Sequence, residues 1–334
     1  MLSELADIRG VSGDETKIRR FISEKLADRG IENSVDTMGN LIARKNRGKF
    51  ETLPLLSAHM DEVGLMITGI RQGGLLNFMP VGGIDSRVLV AKRVKIGREG
   101  LTGVIGAKPI HLQKKEEQQK PYKEESLYID AGFNSRGEAE KYICIGDYAA
   151  FDVNCTKMDK GFYRGKAFDD RAGCLVLLKL LLENNSLCFN AVFTVQEEVG
   201  TRGAMIAAYA LRPQKALVVE ATASADTPET EKEMSSTVLG KGPAISLMDR
   251  TILVDREMRD ELAGCAVRAG IPFQFRRFTG AGTEGGAIAY SREGVKTAVI
   301  AVPCRYIHSP HSVIKESDLQ ATVSLTRAWL EDNQ

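Results

Sequence analysis

The chain holds 334 residues, with 45 lysines and arginines against 44 aspartates and glutamates, a 43% hydrophobic fraction and four histidines. A net charge of +1 offers no basic excess to neutralise phosphates and no acidic tract to keep the chain unfolded, so nucleic-acid binding and disorder are excluded as leading readings. The greasiest stretch, residues 172–182, is broken by Lys179 and falls short of the roughly 20 apolar residues that span a bilayer.

The opening MLSELADIRG carries acids early and has no apolar run of a signal peptide, so a cytoplasmic location is expected. The six cysteines form no CxxC and sit mostly in or beside apolar runs, where reduced, buried, structural thiols are expected. A helix follows: Ser12 or Asp14 can cap it, Ile18, Phe21, Ile22 and Leu26 recur at helical spacing, and Gly30 stops it. Strands are predicted at 41–44 and 53–57, ahead of the phrase SAHMDEVGLMI. Between about 65 and 155 short alternating runs are punctuated by glycine (GIRQGGLL, VGGIDS, RVKIGREG, GVIG), the texture of a small β-barrel or open β-domain. The segment KKEEQQKPYKEES within it reads as a solvated, mobile loop.

After Lys166 helices and strands alternate. Helices are predicted at 170–184, 202–211, 258–269, 284–292 and 316–332, and strands at 189–195, 215–221, 271–278 and 295–303. Such alternation argues a layered α/β sheet with helices on its faces. The simplest architecture is an α/β domain made from both ends of the chain, residues 1–64 plus 156–334, interrupted by a β-rich insertion, 65–155.

Chemistry-bearing residues collect at predicted strand ends. His59 and Asp61 are two apart on an extended segment and share a face, so the carboxylate can fix the imidazole tautomer of a metal ligand. Asp169 and Asp170 open a helix, Glu197 and Glu198 follow the strand FNAVFTV, and Glu220 ends the next strand, where α/β folds keep their sites. His308 and His311 follow the last strand, with Cys304 as a weaker ligand candidate beside so many oxygen donors. His111 reads as a surface histidine. The loop TGAGTEGG spells GxGxxG, but the strand after it ends in Cys304 and Arg305 rather than an acid that would hold a ribose. Its backbone N–H groups suit a carboxylate or oxyanion instead.

In order, HMDEVG, AFDDRAG, TVQEEVGTRGA, VVEAT…DTP, GTEGGAI and CRYIHSP resemble the signatures of the M42 tetrahedral-assembly metallo-aminopeptidases, which include glutamyl, leucyl and lysyl aminopeptidases and members once labelled cellulases. The resemblance covers nearly the whole chain, including VGGIDSRVL. It implies a layered α/β metallopeptidase domain with an inserted β-rich, barrel or PDZ-like, dimerisation domain, and dimers assembling into a tetrahedral dodecamer that admits short peptides. It implies two divalent metal ions per subunit, zinc or cobalt. His59, Asp169 and Glu220 would hold one, and Asp169, Glu198 and His308 the other; Glu197 would be the general base, and Asp61 would orient His59. Asp170 and Asp226 are alternative ligands. Many relatives carry Asp at the Glu220 position, and GTDA where this chain has Gly282-Thr283-Glu284-Gly285.

Three rivals remain. A glycosidase needs facing carboxylates and usually aromatic sugar platforms, but aromatics are 6% here with one tryptophan. A metal-dependent deacylase of N-acyl amino acids or small amides would differ only in its pocket. A non-enzymatic shell has no use for clustered acids.

Overall fold

Continuous apolar runs make strands that can be buried on both faces. Four such runs, Leu55–His59, Phe189–Thr194, Lys215–Ala223 and Lys296–Arg305, form the parallel centre of the sheet. Leu55–His59 lies between Phe189–Thr194 and Lys215–Ala223, and Lys296–Arg305 pairs beyond the latter. The register sets His59 beside Thr194 and Glu220 beside Ala301, so the carboxyl ends of the strands line one edge. The computed structural model describes residues 1–45, 53–184, 186–228, 230, 236–276 and 280–333. Among them the sheet has eleven strands, flanked on one side by Leu41–Lys45 and Asn33–Val35 and on the other by Ser312–Lys315, Phe162–Gly165 and Thr156–Lys157.

The helix Phe168–Leu182 is apolar on every side and buried along almost its whole length, as a helix pressed between a sheet and further helices must be. A Cβ at Gly173 would collide with the Val219 carbonyl and the Asp170 carboxylate, so glycine is what lets this helix lie close on the sheet. Thr16–Ala27, Arg202–Leu211, Arg256–Arg268 and Glu316–Asp332 pack around the same core, Trp329 of the last being fully buried.

These elements agree with the alternation read from the sequence, with local differences. The helix predicted from 284 to 292 spans only Gly285–Ala289, and the strand predicted at 271–278 is seen as Gln274–Arg276, with residues 277 and 278 outside the described residues. The short helix Leu2–Asp7 and the short strands Ala244–Ser246 and Ser312–Lys315 went unread, being too brief to show a period.

The glycine-punctuated stretch folds as a closed barrel of six strands. Going round it they are Gly64–Ile70, Leu76–Val81, Tyr128–Asp130, Leu101–Gly106, Arg93–Ile96 and Tyr148–Phe151, the last pairing back to the first. Leu65, Ile67, Leu76, Val94, Ile96 and Ile129 fill it with a core separate from that of the α/β layer. The charged segment read as a plain loop carries a helical turn, Lys115–Gln118, and a 3-10 turn, Glu124–Ser126. All six cysteines are free; four are buried, Cys155 is half-buried, and Cys144 is exposed, contrary to the buried reading for that one. Among the described residues no helix is long and apolar enough to cross a membrane.

Candidate active site

His59 closes its strand fully buried, and the strand and loop ends around it deliver the acids. Asp169 lies at the start of the Phe168–Leu182 helix, Glu197 and Glu198 in the turn after Phe189–Thr194, Glu220 within Lys215–Ala223, and His308 beyond Lys296–Arg305. Asp169 touches both histidines: Oδ1 is 3.1 Å from His59 Nε2, and Oδ2 is 3.1 Å from His308 Nε2. Glu220 Oε2 lies 3.6 Å from His59 Nε2, and Glu198 Oε1 3.3 Å from His308 Nε2.

Asp61 does more than face His59, whose Nδ1 is 3.4 Å away. It accepts from the Ser12 hydroxyl at 2.6 Å and from the backbone N–H groups of Glu197 and Glu198 at 3.0 and 3.1 Å. Glu197 and Glu198 thus sit in a turn past the strand end, entered through Gln196 at φ 55°, with both backbone N–H groups aimed at one carboxylate. Left-handed non-glycine residues recur here: Ala167, Thr201, Tyr306 and His308 have φ between 54° and 57°. Such conformations cost energy and persist where surrounding contacts impose them, commonly at functional sites.

His308 donates from Nδ1 to the carbonyl of Gly83, 2.9 Å away, which turns Nε2 toward the acids. Gly83 follows the barrel strand Leu76–Val81, so the barrel stretch supplies part of this site. Beneath the cluster Lys166 donates to both oxygens of buried Glu62 at 2.7 and 2.8 Å, tying the HMDE phrase to the AFDD phrase.

Crowded acids raise one another's pKa. Burial, only partly offset by His59, pushes Glu197 up to about 8, with Asp169, Asp61 and Glu284 adding to the rise. Burial likewise raises Glu198, Glu220 and Asp170 well above the usual carboxylate range, each offset in part by a histidine and driven further by neighbouring acids. Burial disfavours charge on the histidines too, but contacts with Asp169 overcome it: His59 rises well above its ordinary value and His308 reaches about 9. Asp169 goes the other way, because hydrogen bonds from both imidazoles outweigh its burial. A cluster this rich in acids calls for cations.

The alternatives separate clearly. Asp226 forms a two-pronged pair with Arg305 at 2.7 and 2.8 Å and accepts from Ser224 Oγ and Leu239 N. Although burial works against it, these partners hold its carboxyl at about 2, and its lone pairs are spent away from the cluster. Asp170 stays within it, one oxygen accepting from Gly173 N at 2.9 Å. His111 is exposed on the barrel stretch, and Cys304 is buried with its thiol turned to the Arg305 carbonyl.

One residue escaped the sequence reading. Glu284 is wholly buried, accepts from Ser57 Oγ and, at 2.6 Å, from Thr194 Oγ1, and its backbone N–H points at Glu220 Oε1 3.4 Å away. The glycine-rich loop thus offers an N–H to a carboxylate, as its composition suggested. In the sequence it stands out only as the acid of the GTEGG loop, where many relatives carry GTDA. A cavity of about 480 Å³ opens on the cluster, lined by Asp169, Glu197, Glu198, Glu220 and His308 together with Arg250, Arg276, Gly282 and Thr283.

The family model described as M42 glutamyl aminopeptidase matches residues 39–325. A protein from Acetivibrio thermocellus named a putative aminopeptidase is 38% identical over 329 residues, covering 97% of this chain and 96% of that one. The lysyl aminopeptidase of Pyrococcus furiosus is 30% identical over 342 residues, covering 99% and 96%. The TET1 peptidase of Pyrococcus horikoshii, described as assembling into a tetrahedron or a large octahedral shell, aligns with a TM-score of 0.87 at 34% identity over 98% and 97% of the two chains. A layered α/β sheet with acids and histidines gathered at the carboxyl ends of its strands defines a hydrolase of the metallopeptidase class. The chain belongs to the M42 peptidase family and is an aminopeptidase. Membership of this metallopeptidase family brings a requirement for divalent metal ions.

The residues present fit such ions. His59 with Asp169 and Glu198, and His59 with Asp170 and Glu220, each offer ligand atoms within 4.8 Å of one another. Imidazole nitrogens and carboxylate oxygens are the donors that zinc and similar ions take. Glu198 Oε1 is buried without a hydrogen-bond partner.

Proposed function

We propose that the chain removes the first residue from short peptides using two divalent cations per subunit, zinc or cobalt. His59, Asp169 and Glu220 would hold one, and Asp169, Glu198 and His308 the other. The observation that carries this reading is Asp169 itself, each of whose oxygens faces a different histidine at 3.1 Å. Asp170 ranks below it because one of its oxygens is spent on Gly173 N.

Cations bound there would lower the pKa of a water and polarise the scissile carbonyl. Glu197, on the cavity wall with no hydrogen bond of its own to the ligand set, is placed to take a proton from the attacking water and pass it to the leaving amine. Its raised pKa reflects burial together with unneutralised neighbouring acids, and positive charge in the cluster would favour the ionised form a base needs. Asp61 fixes the Glu197-Glu198 turn and faces His59 Nδ1, so it positions both the base and a ligand. The substrate's free amine would lie toward the acids, which confines cleavage to the first bond.

The barrel stretch, with its own core, supports a division into 1–64 plus 156–334 and an inserted domain, 65–155. By analogy with the shell-forming TET1 peptidase, the insertion would mediate a homo-oligomer, dimers building a tetrahedral dodecamer. The test is hydrolysis of aminoacyl-p-nitroanilides after EDTA treatment and after zinc or cobalt is restored. Activity should vanish and return; cleavage only of N-acetylated twins would move the reading to a deacylase.

A further inference from the structure

We propose that Arg276 determines specificity by receiving a carboxylate of the substrate, either the side chain of its first residue or the α-carboxylate of a dipeptide. The inference rests on the aminopeptidase reading of the site and adds to it the chemical class of peptide. Family membership leaves that open, since its members are named both glutamyl and lysyl aminopeptidases.

Arg276 ends the strand Gln274–Arg276 and is only 3% exposed, yet it lines the cavity that holds Glu197, Glu220 and His308. Its Nε and Nη1 are buried without any hydrogen-bond partner, and among the described residues no carboxylate comes within ion-pair distance of it. Nearby acids are committed elsewhere: Asp169 and Glu198, which line the cavity, face the histidines, and buried Glu284 is taken by Ser57 and Thr194.

A guanidinium cannot shed its proton, so a buried unpaired one is costly unless something arrives to match it. Its planar fork suits two parallel bonds to a carboxylate. Thr222, Ala223, Gly282 and Thr283 also line the cavity, and residues this small leave room for such a group. Arg250, exposed and lining the same cavity, adds positive potential to it. The cavity lining therefore carries both charges: the acids of the cluster for the amine end, and a buried cation for an anion.

The test compares kcat/KM within two pairs of nearly isosteric substrates, using the metal-loaded wild-type enzyme and Arg276→Met. Glu-p-nitroanilide against Gln-p-nitroanilide reads a side-chain carboxylate; Leu-Gly against Leu-Gly-amide reads a terminal one. The wild type should favour the carboxylate-bearing member of one pair by roughly 10- to 100-fold, the worth of a charge-assisted pair, and the variant should bring that ratio near one. Ratios cancel any general loss through misfolding, and the wild-type ratios stand without the variant. Turnover of neutral substrates with neither ratio above about twofold, or a preference that survives in Arg276→Met, overturns the assignment of Arg276 alone. Silence toward every substrate in both pairs overturns the aminopeptidase reading and this inference with it.

Discussion

The Nδ1 of His308 donates to the carbonyl of Gly83 at 2.9 Å, so a histidine that follows the last central strand is aimed by a residue that follows a barrel strand. The barrel is therefore part of the active site's framework as well as a candidate for building the oligomer. Gly82 and Gly83 give this contact a graded test. Gly82 has φ +84°, and a Cβ there would lie 2.8 Å from Val63 Cγ1 and 3.2 Å from Glu198 Cβ. At Gly83 the added atom would meet only His308 Nδ1, at an ordinary 3.6 Å. Gly82→Ala should cost about 1–2 kcal/mol in backbone strain alone and displace Glu198, cutting bound metal and kcat. Gly83→Ala should fold with stability close to wild type. Metal analysis and thermal melts of the two variants check the order, and equal behaviour would refute it.

Glu197 and His308 should fail differently when replaced. Glu197→Gln keeps shape and cavity but removes the proton acceptor, so turnover should fall by roughly 10²- to 10⁴-fold while two metals per chain remain bound. His308→Ala deletes a donor that faces both Asp169 and Glu198, so metal content itself should drop. Plasma emission analysis of each dialysed variant beside its kcat separates the roles. Strong residual turnover in Glu197→Gln would remove it from the base position.

Glu284 shows what a buried acid does outside the ligand set. Burial raises its pKa, against the opposing pull of Ser57 and Thr194. Gln at this position keeps an oxygen to accept with, and the hydroxyls of Ser57 and Thr194 can turn to suit the new amide. Glu284→Gln should therefore be tolerated. Glu284→Ala would strand the buried Ser57 hydroxyl, leave Thr194 Oγ1 only its 3.4 Å contact with the Ala58 carbonyl, and open a void, costing about 2–4 kcal/mol. Urea unfolding of the two variants reads the difference, and an alanine variant as stable as the glutamine one would contradict it.

Much of this site was legible because its chemistry sits on recognisable local patterns. Apolar runs long enough to be central strands end in His59 and Glu220 or lead into Glu197, Glu198 and His308, and the topology alone brings those ends to one edge. What the sequence hid depends on contacts between distant segments. Gly83 reaches His308 across 225 residues, and Glu284 reaches Ser57 across 227. Asp226, the lower-ranked alternative to Glu220, is removed by its pairing with Arg305, a contact 79 residues apart that no spacing rule reveals. Arg276 lies on a strand the sequence does predict, but nothing in the local pattern shows that its guanidinium is buried against the cavity.

Without metal the protein should lose stability as the pH rises, and the sign follows from two sets of groups. Glu197 has its ordinary 4.5 raised to about 8, and Glu198, Glu220 and Asp170 are raised as well. Between the unfolded and folded values the native chain binds more protons than the unfolded one, so stability falls with increasing pH across that window. His308 moves from 6.5 to about 9, and its contribution, complete below 6.5, is likewise lost as the pH climbs through the folded value. Asp169 and Asp61 are lowered, so their contributions change only in acid below their ordinary 3.8 and do not oppose the trend. The melting temperature of EDTA-treated protein should therefore drop steadily from about pH 5 to about pH 9. Saturating zinc or cobalt should flatten the profile and lift it, because the ions neutralise the acids and bind only the folded chain. Scanning fluorimetry at pH 5, 7 and 9, with and without metal, measures both effects. A metal-free protein that melts higher at the alkaline end would mean that these carboxylates are not crowded in the way their geometry requires.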